Sequence, residues 1–220
     1  HDDHSGGVRR FAELAGCPVR AFDPAYRTPA GGAARGPDGP DGPDRTARSS
    51  AESEAVGTPD REALGLGDGE VVAAGAVELR VVATPGHTAD SVSFLVPAEG
   101  ALLTGDTVLG RGTTVVAHPD GALAPYLSSL RRLRTFVGEA SVARLLPGHG
   151  PVVDDPAGVL DFYLAHRAER LDQVRQAVAA GAGTAAEVVE RVYADVDPVL
   201  WPAAELSVRA QLDYLNGRGW

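Results

Sequence analysis

The chain has 220 residues, enough for one domain and a small appendage. It is 44% hydrophobic with a formal net charge of −10, which argues against strong non-specific binding to nucleic acid or to acidic membrane surfaces. The single cysteine, Cys17, excludes an internal disulfide and fits a cytoplasmic setting, where it is expected to be a small buried hydrophobe. No apolar run is long enough for a transmembrane helix. All 20 basic residues are arginine, a coding bias from which no function follows.

The chain opens on His1-Asp2-Asp3-His4-Ser5-Gly6-Gly7, a clustering of imidazoles and carboxylates that suits a metal site. Asp2 is expected to be a solvated spacer. There is no methionine, and the expectation is a fragment whose upstream part is missing. Val8, Phe11, Ala12, Leu14 and Ala15 recur at helical spacing and stop at Gly16, so a helix begins directly behind the cluster. Pro18 to Phe22 reads as a short strand. Residues 28–62 carry a Gly-Pro-Asp repeat and a Ser/Ala/Glu tail with almost no apolar periodicity, and are expected to form a disordered insertion.

From Glu70 onward the pattern turns to strands. Val71-Val72 and Val77–Val82 read as a pair joined through Gly75, followed by strands over Ser91–Val96 and Ala101–Leu103. Apolar spacings of three and four predict a helix from about Pro119 to Val137, and Val142–Leu146 reads as a strand. The tail from Pro156 looks all-helical: a long helix to about Ala180, a second opened by the capping-box pattern Thr184-Ala185-Ala186-Glu187, and a third from Pro202 to about Leu215. Three helices with short connections suggest a winged-helix-type module, whose wing would begin where the chain ends.

Three further candidate ligands share one grammar. His87 in Pro85-Gly86-His87-Thr88, Asp106 in Thr104-Gly105-Asp106-Thr107 and His149 in Pro147-Gly148-His149-Gly150 each follow a glycine just beyond a strand. Glycine there permits unusual backbone angles and close approach. With the strands in register, His1, Asp3, His4, His87, Asp106 and His149 gather on one rim, using four of the six histidines. The chemistry that wants this set is a two-metal hydrolytic centre, with Asp106 as the natural bridge because a carboxylate offers two oxygens. A carboxylate beside the nucleophile can orient it and shuttle protons.

These four ordered motifs resemble the metallo-β-lactamase superfamily. Its leading motif is His-x-His-x-Asp-His, and this chain begins at the second His. The resemblance implies an α+β, αββα sandwich over residues 1–156 with its N-terminal strands absent, and a small all-helical winged-helix-like domain over 157–220. It implies two divalent metal ions, zinc in type. His1, His87 and Asp106 would hold the first; Asp3, His4, Asp106 and His149 the second, with Asp3 also catalytic. Tyr163-Leu-Ala-His166-Arg167, Gly183-Thr184-x-x-Glu187-Val188-Val189 and Ala203-Ala204-Glu205 narrow the resemblance to the β-lactamase-like protein 2 family, as do Leu109–Val116 and Pro119-Asp120-Gly121.

The function so implied is metal-dependent hydrolysis of an ester, thioester or phosphodiester by a metal-bound hydroxide. The rivals are a single-strand endoribonuclease, a glyoxalase-II-like thioesterase, and a non-enzymatic winged-helix regulator with a vestigial hydrolase domain. The expected partner is a small-molecule or RNA substrate, with no DNA and no membrane, and a homodimer is compatible with the tail. Thr113, Thr114 and His118 are weak candidates to line the substrate cleft. His166 and Arg167 are expected at the surface or between domains, and Arg131, Arg132 and Arg134 on a solvated helix face.

Overall fold

The computed structural model describes residues 2–23 and 64–217, which fall into two compact units, His1–Leu66 and Gly67–Trp220. The expected disordered insertion at 28–62 lies outside the described residues, as do His1 and the last three positions.

In the first unit, α1 spans Asp2–Ser5 and α2 spans Val8–Ala15. The apolar spacing correctly places α2, and Gly16 ends it in the left-handed conformation (φ 61°), donating its N–H to the Ala12 carbonyl. The strand expected over Pro18 to Phe22 is reduced to single bridge positions at Val19 and Ala21, the latter paired with Gly65. Ala21 exchanges backbone bonds with Leu64 and Leu66, and Pro18 has no N–H to extend a ladder. Cys17 is half-buried rather than buried.

The second unit holds one five-stranded sheet in the order β1-β2-β3-β4-β5: Val71–Ala74, Val77–Ala83, Val92–Val96, Ala101–Gly105 and Arg144–Pro147. β1 to β4 pair antiparallel and β5 joins β4 in parallel. The parallel pair needs a crossover, supplied by α3, Leu123–Glu139. Leu95, Leu102 and Leu145 face one another across three strands and are at most 4% exposed. On the opposite face Val81, Phe94, Leu103 and Leu146 form a second apolar row. A sheet apolar on both faces is an interior layer, as the αββα sandwich requires.

α3 buries Leu123, Tyr126, Leu127, Leu130, Leu133 and Val137, the residues its spacing nominates, plus Ser129. It starts at Leu123 rather than near Pro119. Gly121 donates to the Ala117 carbonyl in a tight turn, and a Cβ on Gly121 would lie 2.6 Å from the Ala117 nitrogen. The helix therefore forms only after that turn.

α4 covers Pro156–Ala179, capped by the Asp155 carboxylate accepting from the Gly158 N–H. α5 spans Ala185–Val192 behind the complete Thr184/Glu187 capping box, and α6 spans Trp201–Asn216. Leu160 and Tyr163 of α4, Val188 of α5 and Val208 and Leu215 of α6 join the sheet and α3 in one continuous hydrophobic cluster. Among the described residues no helix is long and apolar enough to cross a membrane.

Candidate metal centre

Strand direction builds the site. β2 and β4 both oppose β3, and β5 runs with β4, so β2, β4 and β5 all end at the same edge of the sheet. The three glycine turns follow those three ends. The Gly148 N–H donates to the Gly105 carbonyl (2.8 Å) and the Gly110 N–H to the His149 carbonyl (2.9 Å), tying the Asp106 and His149 loops together.

Glycine at 86 is obligatory. Its φ is 136°, and a Cβ there would sit 2.3 Å from the Tyr126 Cα. α3 thus presses directly on the turn that presents His87. The Ala122 N–H completes the contact by donating to the Gly86 carbonyl (2.9 Å).

His87 Nε2 lies 3.7 Å from Asp106 Oδ2, and His149 Nε2 lies 3.7 Å from Asp106 Oδ1. Each imidazole therefore addresses a different oxygen of one carboxylate. The distance is too long for a hydrogen bond. It suits nitrogen and oxygen donors that each stand about 2.0–2.2 Å from a shared ion. His87 Nδ1 is engaged with the Val115 carbonyl at 2.8 Å, so Nδ1 carries the proton and Nε2 offers its lone pair towards Asp106. The side chains of His87 and Asp106 are 14% and 13% exposed, while His149 is 54% exposed. The donor set fits divalent metal, with a sheltered side at His87 and an open side at His149.

A polar frame holds the Asp106 loop. Thr114 Oγ1 donates to the Asp106 carbonyl (2.7 Å) and Tyr126 Oη to the Thr107 carbonyl (2.8 Å). Tyr163 Oη accepts from the Leu109 N–H (2.9 Å) and donates to the Gly112 carbonyl (3.2 Å). Arg167 Nη2 donates to the Thr114 carbonyl, with its guanidinium carbon 5.3 Å from the Tyr126 ring centroid. Burial pushes the Tyr126 phenol up to about 12, so it stays neutral.

Of the two places expected for Arg167, the surface is excluded: it is 6% exposed and shares a cavity wall with Tyr193 and Ser207. Tyr126 was legible only as an apolar position, and Tyr163 only as part of the family-like run Tyr163–Arg167. Their hydroxyls reach the loop because their rings fill the core, and periodicity carries no information about a polar tip. Thr114 is 2% exposed, and its hydroxyl is engaged with the Asp106 and Thr107 carbonyls. Thr113 Oγ1 lies 3.3 Å from His166 Nε2, and His118 Nε2 lies 3.7 Å from Asp213. Arg132 and Arg134 lie on the solvated helix face expected of them and pair there with Asp68 and Asp161. Asp3 and His4 fall in α1, where His4 is exposed; both belong to the first compact unit.

The fold and the paired-histidine carboxylate define a metallo-β-lactamase-type protein. The chain matches the Metallo-beta-lactamase superfamily over residues 1–149 and the Beta-lactamase associated winged helix domain over residues 184–219. It belongs to the metallo-β-lactamase superfamily, with a C-terminal winged-helix domain. It is 37% identical over 144 residues to a beta-lactamase-like protein 2 homolog of Drosophila melanogaster, covering 64% of this chain and 46% of that protein. It is 33% identical over 147 residues to an atrochrysone carboxyl ACP thioesterase of Aspergillus fumigatus, covering 61% and 44%. A solved metallo-beta-lactamase family protein from Thermus thermophilus superposes with a TM-score of 0.60 at 26% identity, covering 70% of this chain and 49% of that one. The chain thus spans less than half the length of these relatives.

Proposed function

We propose that this chain is the ligand-bearing part of a metal-dependent hydrolase that cleaves an ester or thioester. The observation that carries the reading is the placement of His87 and His149 opposite the two oxygens of Asp106. A carboxylate so flanked is suited to two cations, of which zinc is the proposed identity. Divalent ions held there supply Lewis acidity and ionise water near neutral pH.

The chain's own residues do the rest. By the family resemblance, His1, His87 and Asp106 would hold one ion and Asp3, His4, Asp106 and His149 the other. The Asp3 carboxylate would orient the attacking water and take its proton. The Val115 carbonyl holds the His87 ring in one tautomer, and the Thr114 hydroxyl fixes the Asp106 backbone. The thioester reading draws on the thioesterase among the relatives. The net charge of −10 disfavours the RNA alternative, since a polyanion would be repelled.

The test uses the full-length protein, purified without chelator and assayed on aryl ester and acyl-thioester substrates. Bound zinc and chelator-sensitive hydrolysis are expected. A protein that holds no divalent metal, or whose hydrolysis ignores chelator, would sink the reading.

A further inference from the structure

The segment Thr113–Val115 lines a cavity of about 290 Å³. Its walls include Thr113, His166, Arg167 and Arg170, with Tyr193 and Ser207 from the winged-helix side. Two arginines and one histidine line it, and no carboxylate does. That is unexpected in a chain with 30 acidic and 20 basic residues.

Arg167 is the informative group. It is 6% exposed, and its Nε has no hydrogen-bond partner among the described residues. Nη2 donates to a neutral carbonyl, that of Thr114, and the guanidinium also meets the neutral Tyr126 phenol, over whose ring it lies. No acidic side chain pairs with it among the described residues. A buried guanidinium left with neutral acceptors alone is costly unless an anion compensates it. Arg170 lies in the same wall, half-buried over Tyr193, with its guanidinium carbon 4.8 Å from the ring centroid. One of its nitrogens donates to Gln173, leaving further donors of the fork for a ligand.

We propose that this cavity binds an anionic group, a carboxylate or a phosphate ester, which the substrate carries as a handle. Arg167 and Arg170 neutralise the charge and Thr113 and Ser207 supply hydroxyls. The wall that would touch the handle is the wall that supports the metal ligands: Val115 accepts from His87, and Thr114 donates to the Asp106 backbone. Seating the handle there fixes the substrate relative to both. The word substrate rests on the hydrolase reading; the anion site does not.

The deciding experiment titrates the full-length protein with inorganic phosphate and, separately, with acetate, against sodium chloride at matched ionic strength. Amide shifts of Thr113 to Val115 and the Arg167 Nε–H resonance report binding. Saturable shifts confined to the cavity are expected, and the tighter of the two probes identifies the handle. Arg167→Gln also removes the bond to Thr114, so Arg170→Gln serves as the variant. It should weaken the anion about tenfold, and its thermal unfolding in chloride, where the Tyr193 and Gln173 contacts are lost, shows that it remains folded. Shifts that match chloride, or an Arg170→Gln variant that binds as the parent does, would overturn the site. In the full-length protein, Arg170→Gln should raise KM for an anionic ester about tenfold more than KM for a neutral ester. A KM rise shared by both esters would overturn the handle role. Loss of all hydrolysis in the parent would remove the hydrolase reading and leave the phosphate titration to decide the site.

Discussion

His87 Nδ1 and the Val115 carbonyl oxygen meet at 2.8 Å, and this one bond sets which face of the imidazole can bind a metal. Nε2 is left to face Asp106 Oδ2, while Oδ1 faces His149. Removing the shared carboxylate and removing one histidine should therefore differ. Asp106→Ala should strip both ions and His87→Ala only one. Metal per chain after dialysis of the full-length protein, read by atomic emission, checks this; equal losses would mean that Asp106 does not bridge.

Thr114 acts on the site without touching it. Its hydroxyl holds the Asp106 carbonyl at 2.7 Å and reaches the Thr107 carbonyl at 3.3 Å. Thr114→Val keeps the shape and removes both bonds. Metal affinity should fall about 10–100-fold, the usual size of an outer-shell effect. Stability should fall by about 1–3 kcal/mol for the acceptors left buried. Chelator competition and urea unfolding measure the two separately, and an unchanged metal affinity would reduce Thr114 to a packing residue.

Gly86 has no substitute. An added methyl meets the Tyr126 backbone at 2.3 Å, and the φ of 136° already excludes an ordinary side chain. Overpacking and backbone strain each cost about 1–3 kcal/mol, so Gly86→Ala should lose roughly 2–6 kcal/mol. Because the turn carries His87, metal affinity should fall with it. A variant with parental unfolding and metal content would show that α3 can retreat from the turn.

What the sequence disclosed follows from how locally each feature is determined. The three glycine turns were legible because glycine and ligand are adjacent and each strand ends just before them. α2 and α5 were legible from a glycine stop and a capping box. The sheet edge that unites His87, Asp106 and His149 follows from strand direction, which the short β1–β2 and β3–β4 links set antiparallel and the α3 crossover sets parallel. Arg167 was not legible. Helical spacing places it on α4, but only the approach of α4 to the Asp106 loop buries it, and that approach depends on Tyr163 and Tyr126 filling the space between. The start of α3 was also missed, since the turn at Gly121 depends on contact with Ala117 and His87 backbone.

The winged-helix segment can be probed through its own cap. Thr184 Oγ1 accepts from the Glu187 N–H at 3.2 Å, and the Glu187 carboxylate accepts from the Thr184 and Gly183 N–H groups. Thr184→Ala should cost about 1 kcal/mol. Faster amide exchange should appear first in α5, because Val188 and Val189 are its only buried side chains. Uniformly faster exchange across the sheet would mean that α5 does not open by itself.

His166 predicts a pH dependence of stability. Its pKa is held below the ordinary 6.5 by burial first and then by the charges of Arg167 and Arg170, with Glu169 opposing. The unfolded chain regains the ordinary value, so between the two pKa values it binds more protons than the folded chain. Stability then rises with pH through that window and is fully present above about 6.5. Acidification below 6.5 should erode it until the folded imidazole also protonates. His166→Gln removes the titration while keeping a polar side chain beside Thr113. Urea unfolding at pH 7.5 and 5.5 should show a larger loss in the parent than in the variant. Equal losses would mean that the ring is as easily protonated in the fold as in the open chain.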